Sequence, residues 1–94
     1  MIIETAKKVI QSEINALYAL LETVNDNLER AAMLIQQSKG RVVVTGVGKS
    51  GHIGRKIAAT LASTGTPAFF VHATEAVHGD LGGISADDVV IAIS

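Results

Sequence analysis

Ninety-four residues suffice for one small domain, and a composition that is 48% hydrophobic but only 3% aromatic requires a core of Val, Ile, Leu and Ala, the usual content of a parallel α/β sheet. Eight Lys and Arg against nine Asp and Glu give a formal charge of -1, which excludes the basic field needed to draw a nucleic-acid backbone. The absence of Cys removes disulfides, thiolate nucleophiles and zinc-thiolate sites; with no apolar leader over residues 1–8 and no apolar run of bilayer length, the expectation is a soluble cytoplasmic protein without a membrane partner.

Along the first third of the chain Ile3, Ala6, Ile10, Ile14, Leu17, Leu21, Val24, Leu28, Ala31 and Ile35 recur in steps of three and four, which winds one apolar stripe around a helix. Lys7, Lys8, Gln11, Glu13, Glu22 and Glu29 take the opposite face. Asn25, Asp26 and Asn27 are poor helix formers, and Asp26 followed by Glu29 resembles a capping box, so two helices are expected rather than one. The stripe is too short and interrupted for a coiled coil and suits packing on a sheet or a partner subunit. Lys39 falls in the last turn, and Gly40 is expected to end the helix in a left-handed conformation. Residues 1–39 are thus a helical segment, and residues 40–94 the first part of a sheet domain.

After Gly40 the pattern changes to Val42-Val43-Val44, a β-branched run suited to a strand covered on both faces. A loop over 46–51 leads to a helix over 52–62 with Ile53, Ile57, Ala58 and Leu61 on one face, closed by Gly65. Pro67 opens a second strand over 68–71. A short helix near 75–78, a turn through Gly82 and Gly83, an Asp87-Asp88 edge and a third strand over 89–93 follow. This order predicts a doubly wound α/β fold with right-handed crossovers. The chain ends on the last strand, where ligand-carrying loops of such sheets begin, so an N-terminal fragment is expected.

Gly46-Val47-Gly48-Lys49-Ser50-Gly51 fits G-x-G-x-x-G between a strand and a helix, where helix N–H groups face an anion. A dinucleotide site asks for an acid about 20 residues on, and only Glu75 lies near that spacing. A P-loop puts its first glycine where Val43 stands, and fails. A monophosphate or phosphosugar site needs backbone donors, a cation and hydroxyls, which Lys49, Ser50 and Thr66 supply. The alternative is a structural turn whose glycines let helix and strand approach, with Lys49 solvated. Of the three histidines, His52 reads as an ordinary residue of the first helical turn. His72 and His78 fall with the glycine turn at the carboxyl edge of the sheet, where imidazoles can open a ring or move a proton on a sugar. Their spacing implies no preformed metal site.

The glycine turn with its continuation His52-Ile53-Gly54-Arg55-Lys56, then Ala62-Ser63-Thr64-Gly65-Thr66-Pro67, Phe69-Phe70-Val71-His72 and Glu75-Ala76-Val77-His78-Gly79-Asp80-Leu81-Gly82, together resemble the arabinose-5-phosphate isomerase family, whose core is a sugar isomerase (SIS) domain. The resemblance covers roughly residues 40–94 and implies a three-layer doubly wound parallel sheet in flavodoxin-like order with N-terminal helices, here incomplete. It implies interconversion of D-arabinose 5-phosphate and D-ribulose 5-phosphate on the way to Kdo for lipopolysaccharide or capsule. It also places catalytic groups at Lys49 and His78, substrate contacts at Gly48, Ser50, Gly65, Thr66, His72 and His78, and a zinc-binding position at His72. No other cofactor is implied, and the family assembles as homo-oligomers, namely tetramers. Ala73-Thr74 departs from the family pattern of Pro and a small residue, and Thr74 is the expected cap of the short helix.

Family members continue past the position of Ser94 into a second serine-rich phosphate loop, a glutamate acid/base residue and usually CBS domains. The base is therefore expected outside these 94 residues, with Glu75 a helix N-terminal residue first, and the chain alone is expected to be inactive. Two competing classes are a non-catalytic sugar-phosphate-binding SIS module of a regulator and a nicotinamide-dependent oxidoreductase.

Overall fold

The computed structural model describes residues 1–77 and 83–94. The elements in chain order are α1 (Ile2–Thr23), α2 (Asp26–Gln37), β1 (Val42–Gly46), α3 (Gly48–Ser63), β2 (Ala68–His72), α4 (Ala73–Val77) and β3 (Val89–Ile93). They fall into two compact units, Met1–Ala32 and Met33–Ser94.

In the first unit every residue is exposed, including Ile10, Ile14, Leu17 and Leu21 of the apolar stripe. The expected break in the helix is present, but its cap is Asn25 rather than Asp26. Val24 turns extended, and Asn25 Oδ1 accepts the Asn27 N–H at 2.9 Å, satisfying one of the amides a helix start leaves without a partner. Asp26 and Glu29 instead lie in the first turn of α2, where negative charge favours the positive end of the helix dipole.

The second unit is a parallel three-stranded sheet in the order β2-β1-β3. This is the flavodoxin-like order the resemblance implies, with the central strand first in sequence. Val42, Val43 and Val44 of that strand are no more than 1% exposed, as the β-branched run requires of a strand flanked on both sides. Val42 and Val44 pack with Ala58 of α3, and Ile35, Ile57, Leu61, Phe70, Ile91 and Ile93 close around them. Ile35 thus ties the last turns of α2 to the sheet unit.

Helix and sheet approach closely because glycines line the contact. A Cβ on Gly54 would stand 3.0 Å from Phe70 Cε2 and 3.1 Å from Val44 Cγ1, and one on Gly51 would stand 3.0 Å from the Gly46 carbonyl oxygen. Glycine is costly in a helix interior, and this packing is what offsets the cost. It also moves the start of α3 from the expected residue 52 back to Gly48, so the glycine motif is mostly helix and only Val47 separates it from the strand. At the other end, α3 stops as expected. Gly65 takes φ +98, its N–H donates to the Ala62 carbonyl at 3.3 Å, and the Thr66 N–H donates to the Leu61 carbonyl at 2.9 Å, the paired bonds of a Schellman motif.

The amino edge of the sheet is held by Asp88. Its carboxylate accepts the backbone N–H of Arg41 at 2.6 Å and of Ser85 at 2.8 Å, and faces the Arg41 guanidinium at 3.4 Å. Gly40 does not adopt the left-handed conformation expected of it. A side chain there would meet Asp88 Oδ1 at 2.5 Å and the Asp87 carbonyl oxygen at 2.6 Å, so Gly40 is needed for this close crossing. The end of α2 is instead finished by Ser38, whose hydroxyl donates to the Asp87 carbonyl and accepts the Gly40 N–H.

Candidate functional site

Strand β1 ends at Gly46, between His72 of β2 and Ile93 of β3. Val47 is extended, and Gly48 then takes φ +58, which reverses the chain into α3 at little cost only because the residue has no Cβ. The Gly51 N–H is the first to find a helical acceptor, the Val47 carbonyl at 3.2 Å, so the preceding amides of the turn remain directed outward. The strand order turns about β1, and the carboxyl ends of β1 and its neighbours frame the crevice in which open α/β sheets hold ligands.

A cavity of about 210 Å³ lies there, lined by Gly48, Gly51, His52, Arg55 and His72. Three of these side chains can carry positive charge and none is acidic. Arg55 lies over the Phe70 ring, with Cζ 4.4 Å from the centroid. His72 is fixed from behind: its Nδ1 accepts the Thr74 N–H at 3.2 Å, which makes His72, and not Thr74, the cap of α4. In the neutral ring this bond assigns the proton to Nε2.

Gly48 and His72 therefore meet at the cavity. Lys49 and Ser50 share the first turn of α3 with Gly48, Lys49 exposed and Ser50 half-buried, but neither lines the cavity. Gly65 and Thr66 lie elsewhere: they close the far end of α3, about 24 Å along a 16-residue helix from Gly48, at the edge from which β2 begins. His78 lies outside the described residues, as do Asp80 and Gly82. His52, read from the sequence as an ordinary helix residue, and Arg55 line the cavity instead. With α3 beginning at Gly48, Gly51, His52 and Arg55 follow at three, four and seven residues on one face; counting the helix from residue 52 hides that stripe.

The resemblance implies a zinc-binding position at His72. Its Nδ1 is already engaged, and among the described residues no three His, Cys, Asp or Glu side chains gather into a group that holds a metal ion. Among the same residues, no helix is long and apolar enough to cross a membrane.

Comparison with known proteins agrees with this geometry. A family model described as SIS domain matches residues 34–94, nearly the same boundaries as the sheet unit. The chain is 56% identical over 92 residues to a Pseudomonas aeruginosa protein named arabinose 5-phosphate isomerase KdsD, covering 98% of this chain and 28% of that protein. It is 53% identical over 93 residues to Escherichia coli K12 arabinose 5-phosphate isomerase GutQ, covering 99% of this chain and 29% of that one. A solved protein of E. coli CFT073 in complex with arabinose 5-phosphate superposes with a TM-score of 0.91 at 49% identity, over 99% of this chain and 50% of that one. The chain thus spans under a third of these curated relatives and half of the solved chain. A parallel sheet in this order, a glycine turn closing on its carboxyl edge and a family match over most of the sequence together place the chain in the SIS domain family.

Proposed function

We propose that this chain supplies the first half of the active site of an arabinose-5-phosphate isomerase, which interconverts D-arabinose 5-phosphate and D-ribulose 5-phosphate in the cytoplasm for Kdo in lipopolysaccharide or capsule. The observation that carries this reading is the cavity at the carboxyl edge of the sheet, whose lining of Gly48, Gly51, His52, Arg55 and His72 offers donors and positive charge and, among the described residues, no carboxylate. More than half of the residues are shared with proteins named for that reaction.

Moving the carbonyl from C1 to C2 requires a base to take the C2 proton, a donor to return a proton to C1, and positive charge beside the enediolate oxygen that forms between the two steps. Lys49 is suited to the last role, because its ammonium sits on a flexible exposed stem at the rim of the glycine turn. The Nε2–H of His72 is a donor for a substrate oxygen, and His78 assists ring opening. The base is the glutamate that the family resemblance places outside these 94 residues; Glu75 is exposed in the first turn of α4 and does not line the cavity. Alone, the chain binds the phosphopentose without turning it over.

A ketopentose-phosphate assay on the full-length protein tests the reading. Turnover of D-arabinose 5-phosphate that is abolished by Lys49→Ala is the expected result. Binding without turnover in the full-length protein would leave the regulatory SIS module as the correct reading, and turnover by the 94-residue chain alone would refute the placement of the base. The exposed stripe of α1 is suited to burial between subunits, so the protein is a homo-oligomer; a monomer in sedimentation equilibrium of the full-length protein would contradict this.

A further inference from the structure

Helix α3 has two working sides. Gly51, Gly54 and Ala58 seat it on the sheet, while an open groove of about 440 Å³ runs along its outer side, lined by His52, Ile53, Lys56, Ile57, Thr60 and Leu61. These residues form two adjacent ridges of four-residue steps, His52-Lys56-Thr60 and Ile53-Ile57-Leu61, with Ile53 55% exposed. Helix α1 carries matching relief. Ile14, Leu17, Tyr18 and Leu21 enclose a second open groove, between the ridges Glu13-Leu17-Leu21 and Ile14-Tyr18-Glu22. Apolar surface left in water on both helices marks each as one side of a contact.

Charge decides which surface meets which. Helix α3 carries Lys49, Arg55 and Lys56 and no acid, whereas residues 9–29 carry Glu13, Glu22, Asp26 and Glu29 and no Lys or Arg. Among the described residues none of Glu13, Glu22 and Lys56 joins an ion pair. Two α1 grooves laid on each other would bring acid against acid: Glu13 meets Glu22 if the helices run antiparallel, and each meets its own copy if they run parallel. Like charges so placed oppose association, while α3 offers the same apolar relief with the opposite sign.

We propose that the α1 groove of one copy of this chain docks on the outer groove of α3 in a second copy, with Glu13 and Glu22 facing the cations of α3. This rests on the reading of the protein as a homo-oligomer and names the surface that covers the α1 stripe. In a twofold pair the contact is made twice, α1 of each copy on α3 of the other, so one substitution counts at two places.

The test follows self-association of the full-length protein by sedimentation equilibrium, with circular dichroism as the check on folding. Ile53 and Lys56 are exposed on α3, so Ile53→Asp and Lys56→Glu leave the fold intact, and each raises the dissociation constant by about 10- to 100-fold. Reversing the other side with Glu13→Lys and Glu22→Lys on one chain has the same effect. Mixing that chain with the Lys56→Glu chain gives a pair tighter than either variant forms with itself, because one of its two contacts is wild type and the other is reversed on both sides. A dissociation constant unmoved by Ile53→Asp and Lys56→Glu overturns the docking, and a rise with Leu17→Asp alone then gives the stripe to another surface, such as α1 of the second copy. A mixed pair no tighter than the single variants overturns it as well. Wild-type protein that stays monomeric removes the homo-oligomer reading together with this one.

Discussion

Replacing Gly46 by Ala asks whether the close seating of α3 on the end of β1 holds the site together. The backbone of Gly46 is not left-handed, so alanine suffers no conformational strain there and the test is purely steric. The new Cβ would lie 3.0 Å from the Ser50 carbonyl carbon, 3.1 Å from the Gly51 nitrogen and 3.1 Å from the Ile93 carbonyl oxygen. All three are backbone atoms, one set on the helix and one on the neighbouring strand, so no side chain can swing aside and the elements themselves must part by a few tenths of an ångström. Overpacking of this kind costs about 1–3 kcal/mol, while the stiffer unfolded chain returns about 0.4–1 kcal/mol. The net loss is roughly 1–2 kcal/mol, which for a domain of this size lowers Tm by about 5–15 °C. Thermal melting followed by circular dichroism reads the shift directly. Because Gly46 pairs with His72, the same displacement reaches the cavity, and affinity for D-arabinose 5-phosphate falls in parallel. A Tm equal to or above that of the wild type would show that the helix is not wedged against the strand end, and the account of the glycine motif as a packing device would be wrong.

Gly48→Ala probes the other use of glycine: nothing lies within 4 Å of its Cβ position, but φ is +58, so the cost is conformational, about 1–2 kcal/mol. Asn tolerates this region better than Ala, so urea midpoints should rank Gly above Asn above Ala, and a reversed order would refute the strain argument. The backbone N–H groups of Ser85 and Arg41, then the Arg41 guanidinium, hold the Asp88 carboxyl at about 2, against an ordinary 3.8, despite the shielding that opposes ionisation. A depressed folded pKa stabilises fully above the unfolded value and is lost as pH falls through the folded one. Wild-type Tm should therefore drop between about pH 4 and 2 by more than that of Asp88→Asn, and parallel curves would exclude the Asp88 network as the cause. Chelation of metal ions tests the zinc position that the resemblance implies at His72: a loss of phosphopentose affinity restored by zinc is the expected sign of that site, and an unchanged affinity would exclude it.

What the sequence disclosed and what it hid divide along physical lines. Local chemistry was readable: the valine run marked the buried central strand, the Asn25–Asn27 cluster marked the break between helices, and Gly65 marked the end of α3. Two caps went to a neighbouring residue, Asn25 for Asp26 and His72 for Thr74, because adjacent candidates differ only in which amide their side chain reaches. The Asp88 cluster joins residues 47 apart, and no local pattern announces it. Propensity also hid the start of α3, since glycine argues against a helix on its own terms. The closeness of Val44, Phe70 and the Gly46 carbonyl explains Gly51 and Gly54, and the positive φ of the turn explains Gly48.

Placing the site turns on a rule that motif matching does not contain. In a parallel sheet, residues that leave a strand lie at its carboxyl edge, and residues that lead into one lie at the amino edge. Gly48 and His72 leave β1 and β2, while Gly65 and Thr66 lead into β2, so within this chain the topology separates the two pairs by the length of α3. The same rule brings Arg55 in. It lies two turns into a helix that begins at the carboxyl edge, on the face that follows Gly48 and Gly51, and the aromatic ring of β2 that supports it is two residues short of His72. Strand and helix thus deliver a cation and an imidazole to one cavity from positions 17 residues apart, and the glycines between them set how near the two can stand.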